Sequence, residues 1–309
     1  MSVDAIAVKT GGLQLTNPVL LASGVHGSSL AKVLEALKLG AGGAVTKSIG
    51  PEPRKGYAEP TLVDVDCGWV NAAGLPNPGA MKFSEELATV KGKALPIIVS
   101  VFGGDEKEFA RVIGILDDAE VLGFELNLSC PHVEGVGTEI GHDPELVAKV
   151  VMAAKASTRK PVFAKLSPNT DRLAEVGRAA EQAGADGLTA INTVRAMAID
   201  IGSGGPSLSN GYGGLSGPAI RPVALRCVYE LSEAVDIPIF GCGGVTGWRD
   251  AVQFFLAGAS AVQVGSATIG KLALFNDINV GILEYLESKG YRNLGEIVGT
   301  AHGGGRRGG

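Results

Sequence analysis

Short apolar runs alternate with amphipathic stretches along almost the whole chain, and the same punctuation recurs between them. In Leu39-Gly-Ala-Gly-Gly-Ala-Val-Thr-Lys47 and Leu122-Gly-Phe-Glu-Leu-Asn127, a helical period ends at a Gly and a short apolar run follows. Ala183-Gly-Ala-Asp-Gly-Leu-Thr-Ala-Ile-Asn192 and Ala257-Gly-Ala-Ser-Ala-Val-Gln-Val-Gly265 repeat the arrangement. Each Gly stands where a helix C-cap needs a left-handed residue before the chain enters a strand. Leu95-Pro-Ile-Ile-Val-Ser100, Lys160-Pro-Val-Phe-Ala-Lys165 and Ile237-Pro-Ile-Phe-Gly241 add strands opened by proline, and Pro18-Val-Leu-Leu-Ala22 completes a set of eight. Nearly continuous apolar strands separated by helices imply a parallel sheet covered on both faces. Eight such units in 309 residues predict one (β/α)8 barrel over residues 1–309, ahead of an open doubly wound sheet.

Four stretches depart from the rhythm. Val3 to Leu15, with Gly11-Gly12 between two alternating runs, reads as a hairpin placed to close the barrel floor. Pro51 to Gly79 and Ile201 to Ser216 read as loop insertions over the C-terminal face. Residues 303–309, Gly-Gly-Gly-Arg-Arg-Gly-Gly, read as a disordered tail.

Composition narrows the function. The chain is 45% hydrophobic, enough for a large core, and its net charge of −5 gives no reason to expect nucleic acid as a partner. No apolar run is long enough to span a membrane and no signal peptide is visible, which predicts a cytoplasmic protein. The four cysteines contain no Cys-x-x-Cys, so neither an iron–sulfur cluster nor a disulfide framework is expected from this chain alone. The histidines show no ligand spacing, and no metal is expected.

Chemistry in such a barrel sits at the C-terminal ends of the strands. Ser23, Lys47, Ser100, Asn127, Lys165, Asn192 and Gly241 to Gly244 fall there. Converging polar groups of this kind mark a ligand pocket rather than packing. Gly241-Cys-Gly-Gly-Val-Thr-Gly247 before a helix near Trp248, and Gly265-Ser-Ala-Thr268 before another, predict a phosphate site after strands seven and eight. Cys130, in Asn127-Leu-Ser-Cys-Pro-His132, follows strand four and precedes a Gly-punctuated loop suited to a lid. Cys67 and Cys227 read as packing residues, and the acidic residues mostly as solvated helix faces.

Taken together, these residues resemble the class 1 dihydroorotate dehydrogenases over nearly the whole chain. The resemblance rests on Asn17-Pro-Val-Leu-Leu-Ala-Ser-Gly24, Thr46-Lys-Ser48 with Glu52-Pro-Arg54, and Asn71-Ala-Ala-Gly-Leu-Pro-Asn-Pro-Gly79. It continues through Glu125-Leu-Asn-Leu-Ser-Cys-Pro131, Val162-Phe-Ala-Lys-Leu-Ser-Pro168, Ile191-Asn-Thr193, Gly213-Gly-Leu-Ser-Gly-Pro-Ala219 and Ile237-Pro-Ile-Phe-Gly-Cys-Gly-Gly244. The 1B subclass, a catalytic subunit paired with an electron-transfer subunit, is the most similar.

The resemblance implies FMN as cofactor, with its phosphate on Gly243, Gly244, Gly265 and Ser266, and Gly217 nearby. Ser23, Lys47, Ser48, Asn127, Lys165 and Ile191 would line the flavin, together with Ser100, where relatives often carry Asn. It implies that dihydroorotate, and orotate after it, is held by Lys47, Asn71, Gly74, Leu75, Asn127, Asn192 and Thr193. Cys130 would be the base that takes the proton from carbon 5 in the dehydrogenation. Electrons would pass to NAD through a partner subunit carrying FAD and an iron–sulfur cluster, or to fumarate. A homodimer or an α2β2 heterotetramer is implied as well. Two other readings of the same residues are another FMN barrel reductase and a flavin-free aldolase or isomerase using Lys165 as a Schiff-base lysine.

Overall fold

The computed structural model describes residues 2–24, 26–129 and 140–303. The chain opens with a hairpin of β1 (Val8–Thr10) and β2 (Leu13–Leu15), turned by Gly11 and Gly12 at φ +53° and +77°. The first barrel strands, β3 (Val19–Leu21) and β4 (Gly43–Val45), flank α1 (Leu30–Lys38). An antiparallel pair, β5 (Leu62–Val65) and β6 (Gly68–Asn71), comes next, then α2 (Ala80–Ala88). Strand β7 (Ile97–Val101), α3 (Glu106–Leu116), β8 (Gly123–Asn127), α4 (Pro144–Ser157), β9 (Val162–Leu166) and α5 (Leu173–Gln182) alternate regularly.

After β10 (Gly187–Ala190) the chain makes a second excursion through β11 (Val194–Ala196), β12 (Ile199–Asp200), β13 (Gly205–Pro206) and β14 (Gly213–Ser216). It then returns through α6 (Arg221–Ala234), β15 (Ile239–Cys242), α7 (Trp248–Leu256), β16 (Ala261–Val264) and α8 (Leu274–Lys289).

Strands β3, β4, β7, β8, β9, β10, β15 and β16 form a closed parallel barrel, the eight expected from the apolar runs. No helix among the described residues is long and apolar enough to cross a membrane. Helix starts follow local chemistry: Ser29, Asp105 and Asp143 cap α1, α3 and α4 with their side-chain oxygens, and Pro144 fills the first turn of α4.

Alternation along each strand divides the core in two. Outward residues such as Val19, Ile97, Phe124, Val162 and Val262 pack under the helices. Inward residues form layers drawn from alternate strands, the usual construction of such barrels. Gly43, Gly123, Gly187 and Ala261 lie lowest. Above them come Leu20, Ile98, Phe163 and Phe240, with Phe163 and Phe240 stacked at 4.5 Å. The glycines make room for these rings, since a Cβ on Gly187 would stand 2.3 Å from Phe163. Leu13 and Leu15 of the hairpin join the same cluster and plug the floor, as the Gly11-Gly12 turn predicts.

The next layer holds Val45, Glu125, Thr189 and Gln263, and the one above it Ala22, Ser100, Lys165 and Cys242. The interior therefore turns from apolar to polar with height, toward the C-terminal face.

The two excursions differ from the loops expected. Their strands β11, β14, β6 and β5 join into one four-stranded sheet, in which β14 pairs with β6 from the other excursion. Cys227 is buried as expected, but Cys67 is exposed at the β5–β6 turn and is not a core residue. The expected lid after Asn127 lies almost wholly outside the described residues, as does the tail beyond Gly303.

Candidate functional site

Above the polar layers lies a cavity of about 680 Å³, enclosed by the strand ends and roofed in part by the excursion sheet. Lys47, Asn127 and Lys165 reach it from β9 and from just past or within β4 and β8, while Asn71, Gly74 and Leu75 enter it from the first excursion. Ser23, Ser48, Ser100, Ile191, Asn192, Thr193, Gly217, Gly243, Gly244, Gly265 and Ser266 complete the set. Every binding residue expected from the sequence lines this one space. Cys130 lies outside the described residues.

One end of the cavity is a glycine cradle. Gly243 and Gly244 hold φ of +131° and +75°, and Gly217 holds +101°. A Cβ on Gly244 would stand 2.7 Å from the Cβ of Arg221 and 2.8 Å from the carbonyl of Gly217. Among the described residues, no protein acceptor takes the backbone N–H groups of Gly243, Gly244, Gly265 or Ser266. Unused, converging N–H groups beside the start of a helix form an anion site. The loop is fixed from behind by Asp250, which accepts from the N–H and hydroxyl of Thr246 and pairs with Arg221 at 2.6 Å. After Gly265 the chain makes a single tight turn, Ser266–Thr268, and the helix expected to follow this loop, α8, starts at Leu274.

The cavity wall carries a chain of amides and hydroxyls. Ser48 and Ser100 hydroxyls meet at 2.9 Å, Asn127 donates to Ser48 at 3.0 Å, and Asn192 donates to Asn127 at 3.1 Å. Asn192 also accepts from the N–H of Thr193, and Asn71 donates to the Gly214 carbonyl in the excursion sheet. Fixed amides present both donor and acceptor edges, the complement of a ring bearing N–H and C=O groups. Asn77 shapes the opposite rim, accepting from Gly50 and Gly79 and donating to the Leu75 carbonyl. That arrangement holds Gly74 and Leu75 at φ of +71° and +56°.

Two lysines reach the cavity in different states. The Lys47 ammonium has no acceptor among the described residues, and burial alone pushes its pKa below the ordinary lysine value. An anion arriving beside it would relieve that penalty. Lys165 is only 5% exposed, and burial opposes its charge. The Glu125 carboxylate, Cys242 and the hydrogen bond to Glu125 outweigh that cost and hold its pKa above the ordinary value. Burial pushes the Cys242 thiol up, against the opposing pull of Lys165.

Sequence reasoning missed Glu125 and Gln263, which lie under the cavity floor, and Tyr57, Asn169 and Ser129, which line its walls. The signal for Glu125 was present: an acid in the middle of an apolar strand, two residues before Asn127 and so on the same face. Ser129 has a buried hydroxyl with no hydrogen-bond partner among the described residues, and Asn169 ties Ser167 to the Thr193 carbonyl.

A family model described as dihydroorotate dehydrogenase matches residues 5–286. A Pyrococcus furiosus protein named dihydroorotate dehydrogenase B (NAD(+)), catalytic subunit, is 53% identical over 96% of this chain and 99% of its own length. A protein of that name from Thermococcus kodakarensis is 50% identical over 97% of the chain and 99% of its own length. The Archaeoglobus fulgidus protein of that name is 43% identical over 97% of the chain and its full length.

Proposed function

The chain belongs to the dihydroorotate dehydrogenase family, and on that premise we propose that it is the catalytic subunit of a B-type enzyme. It oxidises (S)-dihydroorotate to orotate in pyrimidine biosynthesis, with FMN as its flavin. The observation that carries this reading is the joining, in one cavity, of an N–H cradle, an amide-lined wall and two lysines. FMN, when bound, supplies the acceptor for the hydride from carbon 6 of the substrate.

Each residue then has a physical task. The N–H groups of Gly243, Gly244, Gly265 and Ser266 take the phosphate, and Gly217 leaves room for it. Ser23, Ser48, Ser100, Ile191 and Asn127 surround the ring system, and the Lys165 cation stabilises negative charge in a site with little water. Lys47 takes the substrate carboxylate, aided by the backbone around Gly74 and Leu75. Asn71, Asn127, Asn192 and Thr193 hold the pyrimidine in register, and such positioning lowers a barrier by up to about 7–11 kcal/mol at the extreme. Cys130 takes the proton from carbon 5, which requires the thiolate near its ordinary pKa of about 8.5.

Electrons leave through a partner subunit holding FAD and an iron–sulfur cluster to NAD, with fumarate as the alternative acceptor. The names of the relatives, which specify NAD(+) and a catalytic subunit, support the first route. A homodimer, or an α2β2 complex with that partner, working in the cytoplasm completes the proposal.

The test is an anaerobic absorption spectrum before and after addition of dihydroorotate. Flavin bands at roughly 370 and 450 nm that bleach on addition support the reading. A chain that takes up no FMN on reconstitution refutes it and favours a flavin-free barrel. Adding NAD with the partner subunit, or fumarate alone, to the bleached sample separates the two routes.

A further inference from the structure

Directly beneath the cavity floor is a buried polar cluster built on Glu125. Glu125 is 1% exposed, and both its oxygens are occupied. One accepts from the Lys165 ammonium at 3.3 Å. The other accepts from the Thr189 hydroxyl at 2.9 Å and the Gln263 amide at 2.6 Å. Gln263 also turns its carbonyl oxygen to Lys165 at 3.2 Å. Glu125, Thr189 and Gln263 belong to one layer, from alternate strands, and do not themselves line the cavity; Lys165 stands one layer above and does.

The geometry points to Glu125 as the positioning residue for Lys165: through the ion pair, and through Gln263, it keeps the ammonium charged and aims its remaining N–H into the cavity. This rests on the flavin reading above only for what the N–H meets. A lysine carries three ammonium N–H groups. Two are directed downward, to Glu125 and to Gln263, which leaves one for a ligand.

An isolated ammonium buried to this degree would shed its proton, because desolvation disfavours the charged form. The titratable groups facing Lys165 are Glu125 from β8 and Cys242 from β15, while Thr189 from β10 and Gln263 from β16 are neutral. Lys47, across the same cavity, is the other lysine that lines it, and among the described residues it lacks such a counter-charge. Of the two titratable groups, Glu125 is the one that bonds to Lys165, at 3.3 Å, while burial holds Cys242 as a thiol. The same carboxylate orients Gln263, so one group sets both the charge and the direction of Lys165.

The experiment is competitive acetylation of the apo chain with acetic anhydride from pH 6 to 11. It is read at each lysine by peptide mass spectrometry, with each site normalised to its own plateau. In the wild type, Lys165 should react only on the alkaline side of an ordinary lysine, and Lys47 before one. Glu125→Gln keeps the shape and loses the charge, and should raise normalised Lys165 acetylation at pH 8 by at least about tenfold, one unit of titration. Lys47 should be unchanged.

An unchanged Lys165 profile in folded Glu125→Gln would overturn the proposal. So would a wild-type Lys165 that titrates with or before Lys47, a result that needs no variant to fold. FMN uptake, followed in parallel by fluorescence quenching, keeps the two claims apart. Failure of wild-type uptake sinks the flavin reading and leaves the acetylation result to decide the role of Glu125.

Discussion

Replacing Gly244 with alanine probes the anion cradle through both stability and binding. Gly244 holds φ +75°, where a side chain costs roughly 1–2 kcal/mol. The new Cβ would also meet the Arg221 Cβ at 2.7 Å and the Gly217 carbonyl at 2.8 Å. Neither is the tip of a flexible side chain, so backbone must move, and overpacking of that kind adds about 1–3 kcal/mol. The sum, about 2–5 kcal/mol, corresponds at roughly 2 °C per kcal/mol for a chain of this size to a Tm lower by about 4–10 °C.

Displacing the loop also misaligns its N–H groups. Losing one charge-assisted bond to a phosphate, worth about 1.5–3 kcal/mol, weakens FMN binding about 10- to 150-fold. Calorimetry of the apo chain reads the first effect, and titration of flavin fluorescence the second. Gly247→Ala is the control, because Gly247 has an extended φ of −169° and open space around its Cβ. If Gly244→Ala matched Gly247→Ala in both assays, the cradle would have been misplaced.

Three further outcomes are expected. Burial depresses the pKa of Lys47, so between the lowered value and 10.5 the unfolded chain binds more protons and stability rises with pH. Lys47→Met should abolish that slope, raise the apo Tm below that window, and weaken orotate binding by at least about tenfold, as urea and ligand titrations would show. Phe163→Ala removes half of the ring stack under the polar layers, and should cost about 3–5 kcal/mol in urea unfolding while the folded fraction still takes up FMN. Cys130→Ala should bind FMN and orotate yet lose most turnover near neutral pH, whereas Cys130→Ser should retain some activity shifted to alkaline pH; wild-type turnover by Cys130→Ala would remove the base assignment.

The barrel was legible because its cues are local. A Gly after each helical period and a Pro before several strands mark unit boundaries without reference to distant residues. The floor hairpin follows from Gly11-Gly12 in the same way. The cradle was legible too, since Gly243 and Gly244 follow an apolar strand directly. The excursion sheet was not, because Gly214 pairs with Asn71 across more than a hundred residues, and strands as short and Gly-rich as Gly213–Ser216 carry almost no local signal. Glu125 was overlooked for a different reason. Attention to strand ends picked out Asn127, whereas the acid two residues earlier lies inside the barrel, where a charge needs partners from β9, β10 and β16 that only the closed sheet supplies.

That difference follows from how a parallel barrel is built. Each strand offers inward positions two residues apart, and neighbouring strands supply alternate layers. A polar group at the mouth can meet solvent or ligand, so its type alone is informative. A polar group one layer down must be satisfied by residues of the same or adjacent layers, and those come from strands far apart in sequence. Glu125, Thr189 and Gln263 satisfy one another within a layer and leave Lys165 as the cluster's outlet to the cavity. Below them the Phe163–Phe240 stack and the hairpin plug keep that layer apart from solvent on the floor side. The apolar floor therefore does more than stabilise the barrel: by withholding water it makes the Glu125 charge count at Lys165, and so connects the packing of the core to the chemistry of the mouth.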